Sequence, residues 1–367
     1  MIKSAYIHIP FCTNICSYCD FCKMYYDEEL VSKYLNALDD EIKKNYKDEI
    51  LDTLYIGGGS PSSLNIEQLN MLFSIIKRFK LSNDYEFSFE FNINDITIEK
   101  LECLLKNGVN RVSIGIETIN DKFYKFLNRY NSTNEIKNKI DLVKKYFSNI
   151  NIDLMYAFPN ETLKDLNNDI DFVLSLNPSH ISLYSLIIEE HTKLYIDGVM
   201  PIDEELDEEM YSNIINKLKE NGYIHYEISN FCKIGYESRH NMCYWNNNKY
   251  YGFGLGASGY IDDYRYCNTR NINKYINGNC ILNKDVIDKN LDMENYMMLG
   301  LRKVSGINKK DFFNRYSFDV EQIFDIINLV NNKLLVYDND NIKIPEDKLY
   351  VSNSILVNFI GGCSDGK

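Results

Sequence analysis

The sequence predicts an α/β protein, a partial (β/α)6 barrel followed by a small winged-helix-like α+β domain. Three observations lead there. Strand-like and helix-like periodicities alternate from the start of the chain to residue 186. The chemically unusual stretches, 12–19, 57–61, 90–92, Glu117 and 153–159, fall at or near the C-terminal ends of those strands, where barrels build their sites. From about residue 287 the texture changes to helices followed by a hairpin. Periodicity alone also fits an open sheet; the placement of the unusual residues selects the barrel.

The elements follow in order. Residues 5–9 are β-rich, and 28–44 carry apolar residues at helical spacing. Strand 51–56 precedes helix 66–79, strand 86–91 precedes helix 98–106, and strand 110–114 precedes helix 135–147. Strand 151–155, helix 163–176 and strand 180–186 complete six strands with helices between them. Beyond them, 204–221 reads as an acidic helix, 224–228 as a strand and 236–260 as a Gly/Tyr/Asn-rich stretch. Helices are predicted at 293–303 and 320–331, a hairpin at 334–337 and 342–344, and a last helix at 348–360. The expected organisation is a core over 1–230, an extension over 231–286 and a small domain over 287–367.

A chain of 367 residues with 45% hydrophobic and 25% charged residues can bury a large core. No run approaches 18 apolar residues, so no membrane span is expected. The N-terminus enters a strand without a secretory apolar region, which predicts a cytoplasmic protein. The net charge of −13 argues against nucleic acid as a partner, because phosphate binding needs a basic footprint.

Four of the ten cysteines lie within the first 22 residues; Cys103, Cys232, Cys243, Cys267, Cys280 and Cys363 are scattered. A tight cluster in a cytoplasmic chain reads as metal binding rather than disulfides. Cys12, Cys16 and Cys19 are spaced C-x3-C-x2-C, with Tyr18 before the last. Three thiolates suit a 4Fe–4S cluster whose fourth iron stays open for the amino and carboxylate groups of S-adenosylmethionine (SAM), the arrangement of radical SAM chemistry. Cys22 keeps two other readings in play. One is a four-thiolate zinc site, although these usually pair two separated knuckles. The other is a ferredoxin-like carrier, in which a fourth thiolate would close the last iron. In the radical SAM reading Cys22 is a bystander.

Gly57-Gly58-Gly59-Ser60-Pro61 follows the second strand, where glycines let backbone N–H and C=O groups approach a ligand, here the amino-acid moiety of SAM. Glu90 and Asn92 end the third strand and Asp153 lies in the fifth, placed to accept from ribose hydroxyls or an ammonium; Arg129 would neutralise a carboxylate. His240-Asn-Met-Cys243-Tyr244-Trp245 joins an imidazole to flat aromatics. Read alone, it describes a packed core histidine better than a heme contact.

At these residues the chain resembles a known family. The opening Tyr6-Ile-His-Ile-Pro-Phe-Cys12, the cysteine motif followed by Asp20-Phe21, and Ile56-Gly-Gly-Gly-Ser-Pro-Ser62 are similar to radical SAM proteins related to oxygen-independent coproporphyrinogen III oxidase. So are Asn110-Arg-Val-Ser-Ile-Gly-Ile116, Gly222-Tyr-x-x-Tyr226-Glu227, Gly254-x-Gly-Ala-Ser-Gly259 and Met298-Leu-Gly-Leu-Arg302. Asp20-Phe21, the short lead before Cys12 and the His240–Trp245 motif resemble the heme chaperone branch rather than the oxidase. The resemblance implies that Tyr6, Tyr18, Gly58, Gly59, Ser60, Glu90, Glu117, Arg129, Asp153 and Ser258 line the SAM site, and that His240, Tyr244 and Trp245 contact heme. Glu117 stands where a Gln is usual, adding a negative charge, while Ser60 for Thr keeps the hydroxyl. The implied function is binding heme and delivering it to an acceptor hemoprotein, respiratory and membrane-associated acceptors included. The cluster and SAM would control folding, homodimerisation or transfer, and no catalytic residue is assigned. The alternative is a radical SAM enzyme of tetrapyrrole metabolism.

Overall fold

The computed structural model describes residues 1–129 and 131–361; Cys363 lies outside the described residues. Among these, six parallel strands, β1 (Ser4–Ile9), β2 (Ile50–Gly58), β3 (Lys80–Asn92), β4 (Arg111–Glu117), β5 (Asn149–Tyr156) and β6 (His180–Ser185), pair in chain order. Three short strands extend the sheet to nine: β7 (Ile224–Glu227), β8 (Asn230–Cys232) and β9 (Tyr251–Phe253), in the order β9-β1-β2-β3-β4-β5-β6-β8-β7. β9 is parallel to β1, and β8 is antiparallel to β6 and β7. The predicted partial barrel is thus present, with three edge strands that the sequence did not announce as part of it.

The alternation within the strands sets the character of the barrel. Leu54 and Ile56, Phe87 and Phe89, Val112 and Ile114, Ile152 and Leu154 are buried in the apolar core shared with the helices. The intervening positions are polar: Tyr6 and His8, Tyr55, Ser88 and Glu90, Arg111 and Ser113, Asn151 and Asp153, His180 and Ser182. Hydrogen bonds run among them across strands, as from Asn151 Nδ2 to Ser113 Oγ at 2.7 Å and between His180 Nδ1 and Asn151 Oδ1 at 2.6 Å. Most of these inner-face groups are paired across strands, as buried polar groups usually are, while Arg111 Nε is buried without a partner.

Local signals explain the covering helices. Asp27 caps α1 (Glu28–Asn45) by accepting from the Leu30 N–H, with acids in its first turn and lysines in its last. Asn65 with Gln68, Ser132 with Glu135 and Thr162 with Asp165 form capping boxes at the starts of Ile66–Ile76, Thr133–Val143 and Leu163–Leu176. β3 is longer than predicted because its first half, rich in polar and exposed residues, lacks the apolar alternation that marks a strand.

After the barrel, strands Ser258–Ile261, Tyr264–Asn268 and Ile281–Val286 form a separate antiparallel sheet that was not anticipated. In the C-terminal part, Ile307–Asn308, Asn341–Lys343 and Val336–Asp338 make a three-stranded sheet beside helix Lys309–Tyr316, a winged-helix-like arrangement. The helix expected over 320–331 is two: the backbone at buried Phe324 is extended, and Asp325 caps a new helix, Ile326–Asn331. The last predicted helix is likewise interrupted, with a 3-10 turn at Glu346–Lys348, a helix at Ser352–Leu356 and a second 3-10 turn at Val357–Phe359. No helix among the described residues is long and apolar enough to cross a membrane.

Candidate functional site

Cys12, Cys16 and Cys19 sit on the loop that leaves β1. The loop is closed at its base where Phe11–Cys12 pairs in parallel with Met24–Tyr25, and the Tyr26 N–H donates to the Cys12 carbonyl at 2.9 Å. The Cys19 N–H donates to the Cys16 carbonyl at 3.3 Å, and among the described residues the three thiols are not drawn into a closed set of metal ligands. Burial, then the neighbouring Cys19 and Cys16 thiols, push Cys12 up to about 12. Bound iron would reverse this, because a coordinated thiol is deprotonated outright. Cys22 points elsewhere: it is buried beside Gly256, and Arg270 is the charged group that acts on it most.

The three glycines after β2 are each forced by a different neighbour. A Cβ on Gly57 would stand 2.7 Å from the Glu90 carboxyl. One on Gly58, whose φ is +123°, would meet the His8 ring at 2.8 Å. One on Gly59 would lie 2.8 Å from the Pro10 carbonyl oxygen and 2.9 Å from Cys12 Sγ. The glycine turn therefore presses directly against the cysteine loop. Ser60 follows, its hydroxyl 3.0 Å from that of Ser62.

Glu90 accepts from the Tyr55 hydroxyl at 2.8 Å and from the Gly58 N–H at 3.0 Å. Burial, with Asp153 adding to it, raises its carboxyl to about 7. Asp153 accepts from Ser113 Oγ at 2.9 Å and Asn151 Nδ2 at 2.8 Å, and burial raises it as well. Glu117 is raised by burial against the opposing effect of Arg129, with which it pairs at 2.8 Å. Its φ of +67° places a non-glycine residue in the left-handed region, where a side chain costs about 1–3 kcal/mol unless its surroundings hold it. Arg129 also donates from Nε to Cys16 Sγ at 3.3 Å and from Nη1 to the Gly115 carbonyl at 3.0 Å. Tyr18, in the cysteine loop, gives Glu117 a second hydrogen bond. Glu117 is already paired with Arg129, which leaves Glu90 and Asp153 as buried carboxyls that a cationic ligand would keep ionised, and SAM carries a sulfonium. The cysteine loop, the glycine turn and this acidic wall thus fit a cluster with SAM.

A pocket of about 290 Å³ opens beside these groups, lined by Tyr6, Phe21, Tyr55, Gly58, Glu90, His240, Asn241 and Tyr244. Residues assigned by resemblance to SAM and residues assigned to heme thus share one wall. Ser258 is set apart. The chain turns back after Gly254 and Gly256, and Ser258 opens the separate antiparallel sheet as an exposed residue, away from the pocket lining. Trp245 does not reach the pocket either; its ring lies 6.0 Å from the Arg302 guanidinium.

His240 belongs to a short helix, Arg239–Trp245, that fills one end of the barrel. Ser238 caps it, and the Arg239 and His240 N–H groups donate to the two oxygens of Glu86 at 3.0 and 3.1 Å. The imidazole is buried, with Nδ1 2.8 Å from Thr53 Oγ1 and Nε2 2.8 Å from the Tyr244 hydroxyl. Burial and the nearby Arg111 guanidinium lower it to about 3, so it is neutral. As placed, neither nitrogen is free for iron: the expected heme ligand is a doubly bonded core histidine. The sequence reading missed Tyr55, which links Glu90 to His240 (ring centroids 5.2 Å apart). The period-2 signal was available, since Tyr55 shares the inner face with Gly57.

The comparisons place these features in a class. The model of the Radical SAM superfamily matches residues 6–173, the span that holds the cysteine loop, the glycine turn and the acidic wall. The fold is also that of a solved protein, coproporphyrinogen III oxidase (HemN) from Escherichia coli, with a TM-score of 0.85 over 98% of this chain and 90% of that one at 19% identity. That likeness establishes the fold alone. At the sequence level, the chain is 37% identical over 370 residues to the heme chaperone HemW of Lactococcus lactis subsp. lactis (strain IL1403), covering 98% of this chain and 97% of the relative. It is 37% identical over 378 residues to the heme chaperone HemW of Bacillus subtilis (strain 168), covering 98% and 100%. The chain belongs to the heme chaperone HemW family.

Proposed function

We propose that this protein binds heme and passes it to an acceptor hemoprotein, with a 4Fe–4S cluster on Cys12, Cys16 and Cys19 and SAM beside Glu90 governing the transfer. The observation that carries this reading over tetrapyrrole oxidation is the filling of the barrel. Helix Arg239–Trp245 occupies one end, and the pocket of about 290 Å³ beside it is at the small end of ligand sites, so a macrocycle does not fit wholly inside the barrel as an oxidase substrate would, and heme held at His240 would lie partly outside it. When bound, the cluster and SAM supply one-electron chemistry at the mouth of the barrel. Glu90 faces the cationic part of the ligand, and the glycine turn offers its backbone to the amino-acid part. Tyr55 connects that wall to His240. Tyr244 holds His240 Nε2, so heme ligation by His240 requires the hydroxyl to let go.

The test is a heme titration followed by the Soret spectrum, run on the wild type, Tyr244→Phe and His240→Ala. Releasing Nε2 from a hydrogen bond worth about 0.5–1.5 kcal/mol should tighten heme binding about 2–10-fold in Tyr244→Phe, and His240→Ala should lose the histidine-ligated spectrum. Unchanged spectra and affinities in both variants would remove His240 as the ligand and leave it a core group. In parallel, anaerobic turnover of coproporphyrinogen III by the reconstituted protein is expected to yield no protoporphyrin-level product; such a product would make the protein an oxidase.

A further inference from the structure

Glu117 reaches the surroundings of the cysteine loop through two donors. Its carboxylate accepts from Arg129 Nη2 at 2.8 Å and from the Tyr18 hydroxyl, and both donors belong to the surroundings of Cys16. The pair is secluded, with side chains 13% and 8% exposed, so solvent and salt screen it weakly. Arg129 reaches past it to Cys16, its Nε–H aimed at the sulfur at 3.3 Å. There is little room for rearrangement: a Cβ on Gly115 would already sit 2.6 Å from Glu117 Oε1, and Arg129 Nη1 is fixed by the Gly115 carbonyl.

Cluster potentials respond to the net charge nearby and to hydrogen bonds at the sulfurs. Reduction adds one electron, supplied by a low-potential donor, and makes the cluster more negative by one charge. A guanidinium beside Cys16 favours that state, both through its charge and through the N–H···S bond. A carboxylate on the same guanidinium opposes it. We propose that the Glu117–Arg129 ion pair tunes this protein's cluster, with Arg129 raising its reduction potential through Cys16 and Glu117 holding it down by cancelling the charge of Arg129. The inference rests on the cluster reading of Cys12, Cys16 and Cys19. It makes Glu117 and Arg129 positioning residues that act through the cluster, whatever the cargo.

The experiment is a potentiometric titration of the anaerobically reconstituted full-length protein without SAM, read by the electron paramagnetic resonance signal of the reduced cluster. Glu117→Gln keeps the shape and removes the charge. It should favour reduction at least tenfold, a rise of 59 mV for one electron. Arg129→Met removes the donor and leaves Glu117 unopposed, and should move the potential the other way. Opposite shifts are what a merely structural role would not produce. If Arg129→Met fails to take up iron, Glu117→Gln decides alone. An unmoved or lowered potential in Glu117→Gln, with a full cluster, overturns the tuning role while leaving the cluster reading intact. A wild-type protein that assembles no cluster overturns both.

Discussion

Gly59→Ala is expected to leave a folded protein that assembles about a fifth or less of its iron–sulfur cluster, because overpacking against backbone costs about 1–3 kcal/mol and 1.4 kcal/mol is tenfold. The new methyl group would lie 2.8 Å from the Pro10 carbonyl oxygen and 2.9 Å from Cys12 Sγ, both well inside contact distance. The turn itself cannot retreat. The Gly59 N–H donates to the Ile9 carbonyl and the Ser60 N–H to the Phe11 carbonyl, each at 2.9 Å, tying it to the same segment it would have to leave. The displacement therefore falls on the base of the cysteine loop and on the sulfur that would bind iron. Iron and sulfide content after anaerobic reconstitution, with circular dichroism as the control for folding, decides the matter. A full complement of iron in Gly59→Ala would show that the loop has slack that the packing does not suggest.

The same residues show why the barrel was legible in the sequence and parts of the site were not. β1 to β6 could be read because every second residue is apolar and buried against helices, and the caps at Asp27, Asn65, Ser132 and Thr162 punctuate the helices between them. The cysteine loop and the glycine turn were visible because their residue types have few other uses at that spacing. β9 was hidden by its glycine: Tyr251-Gly252-Phe253 has no side chain at its centre, since a Cβ on Gly252 would collide with the Ser258 carbonyl. His240 was visible, but its setting was not. Its partners Thr53 and Glu86 lie far back along the chain, and no local pattern predicts that two strands and a helix terminus will meet there. Ser258, assigned by resemblance, falls outside the pocket lining, because where the chain turns back after Gly256 is a matter of tertiary pairing rather than of motif.

Glu90 yields the other large effect. Its carboxyl is raised to about 7, by burial first, then opposed by the Tyr55 hydroxyl, raised by Asp153 and opposed again by the Gly58 N–H and Arg111. In the ligand-free protein it is therefore protonated below about pH 7 and ionised above it. The sign for folding follows: the stability this carboxyl contributes is present below its ordinary value of 4.5 and is lost as pH rises through about 7. For binding the sign is reversed. A ligand carrying a sulfonium prefers the ionised carboxylate, so binding below pH 7 must expel a proton. SAM affinity is expected to be flat at alkaline pH and to weaken by up to about tenfold for each pH unit below that pKa. Asp153, Tyr6, Tyr55 and Arg111 also face this wall, and Glu90→Gln separates their contribution. That variant should bind SAM with a profile flattened across the same range, at an affinity near that of the protonated wild type. Equilibrium dialysis of SAM at a series of pH values on both proteins supplies the comparison. A wild-type affinity that does not change between pH 6 and 8 would mean that Glu90 does not meet the positive charge of the ligand, and would turn attention to Asp153, held in place by Ser113 and Asn151, as the acid that does.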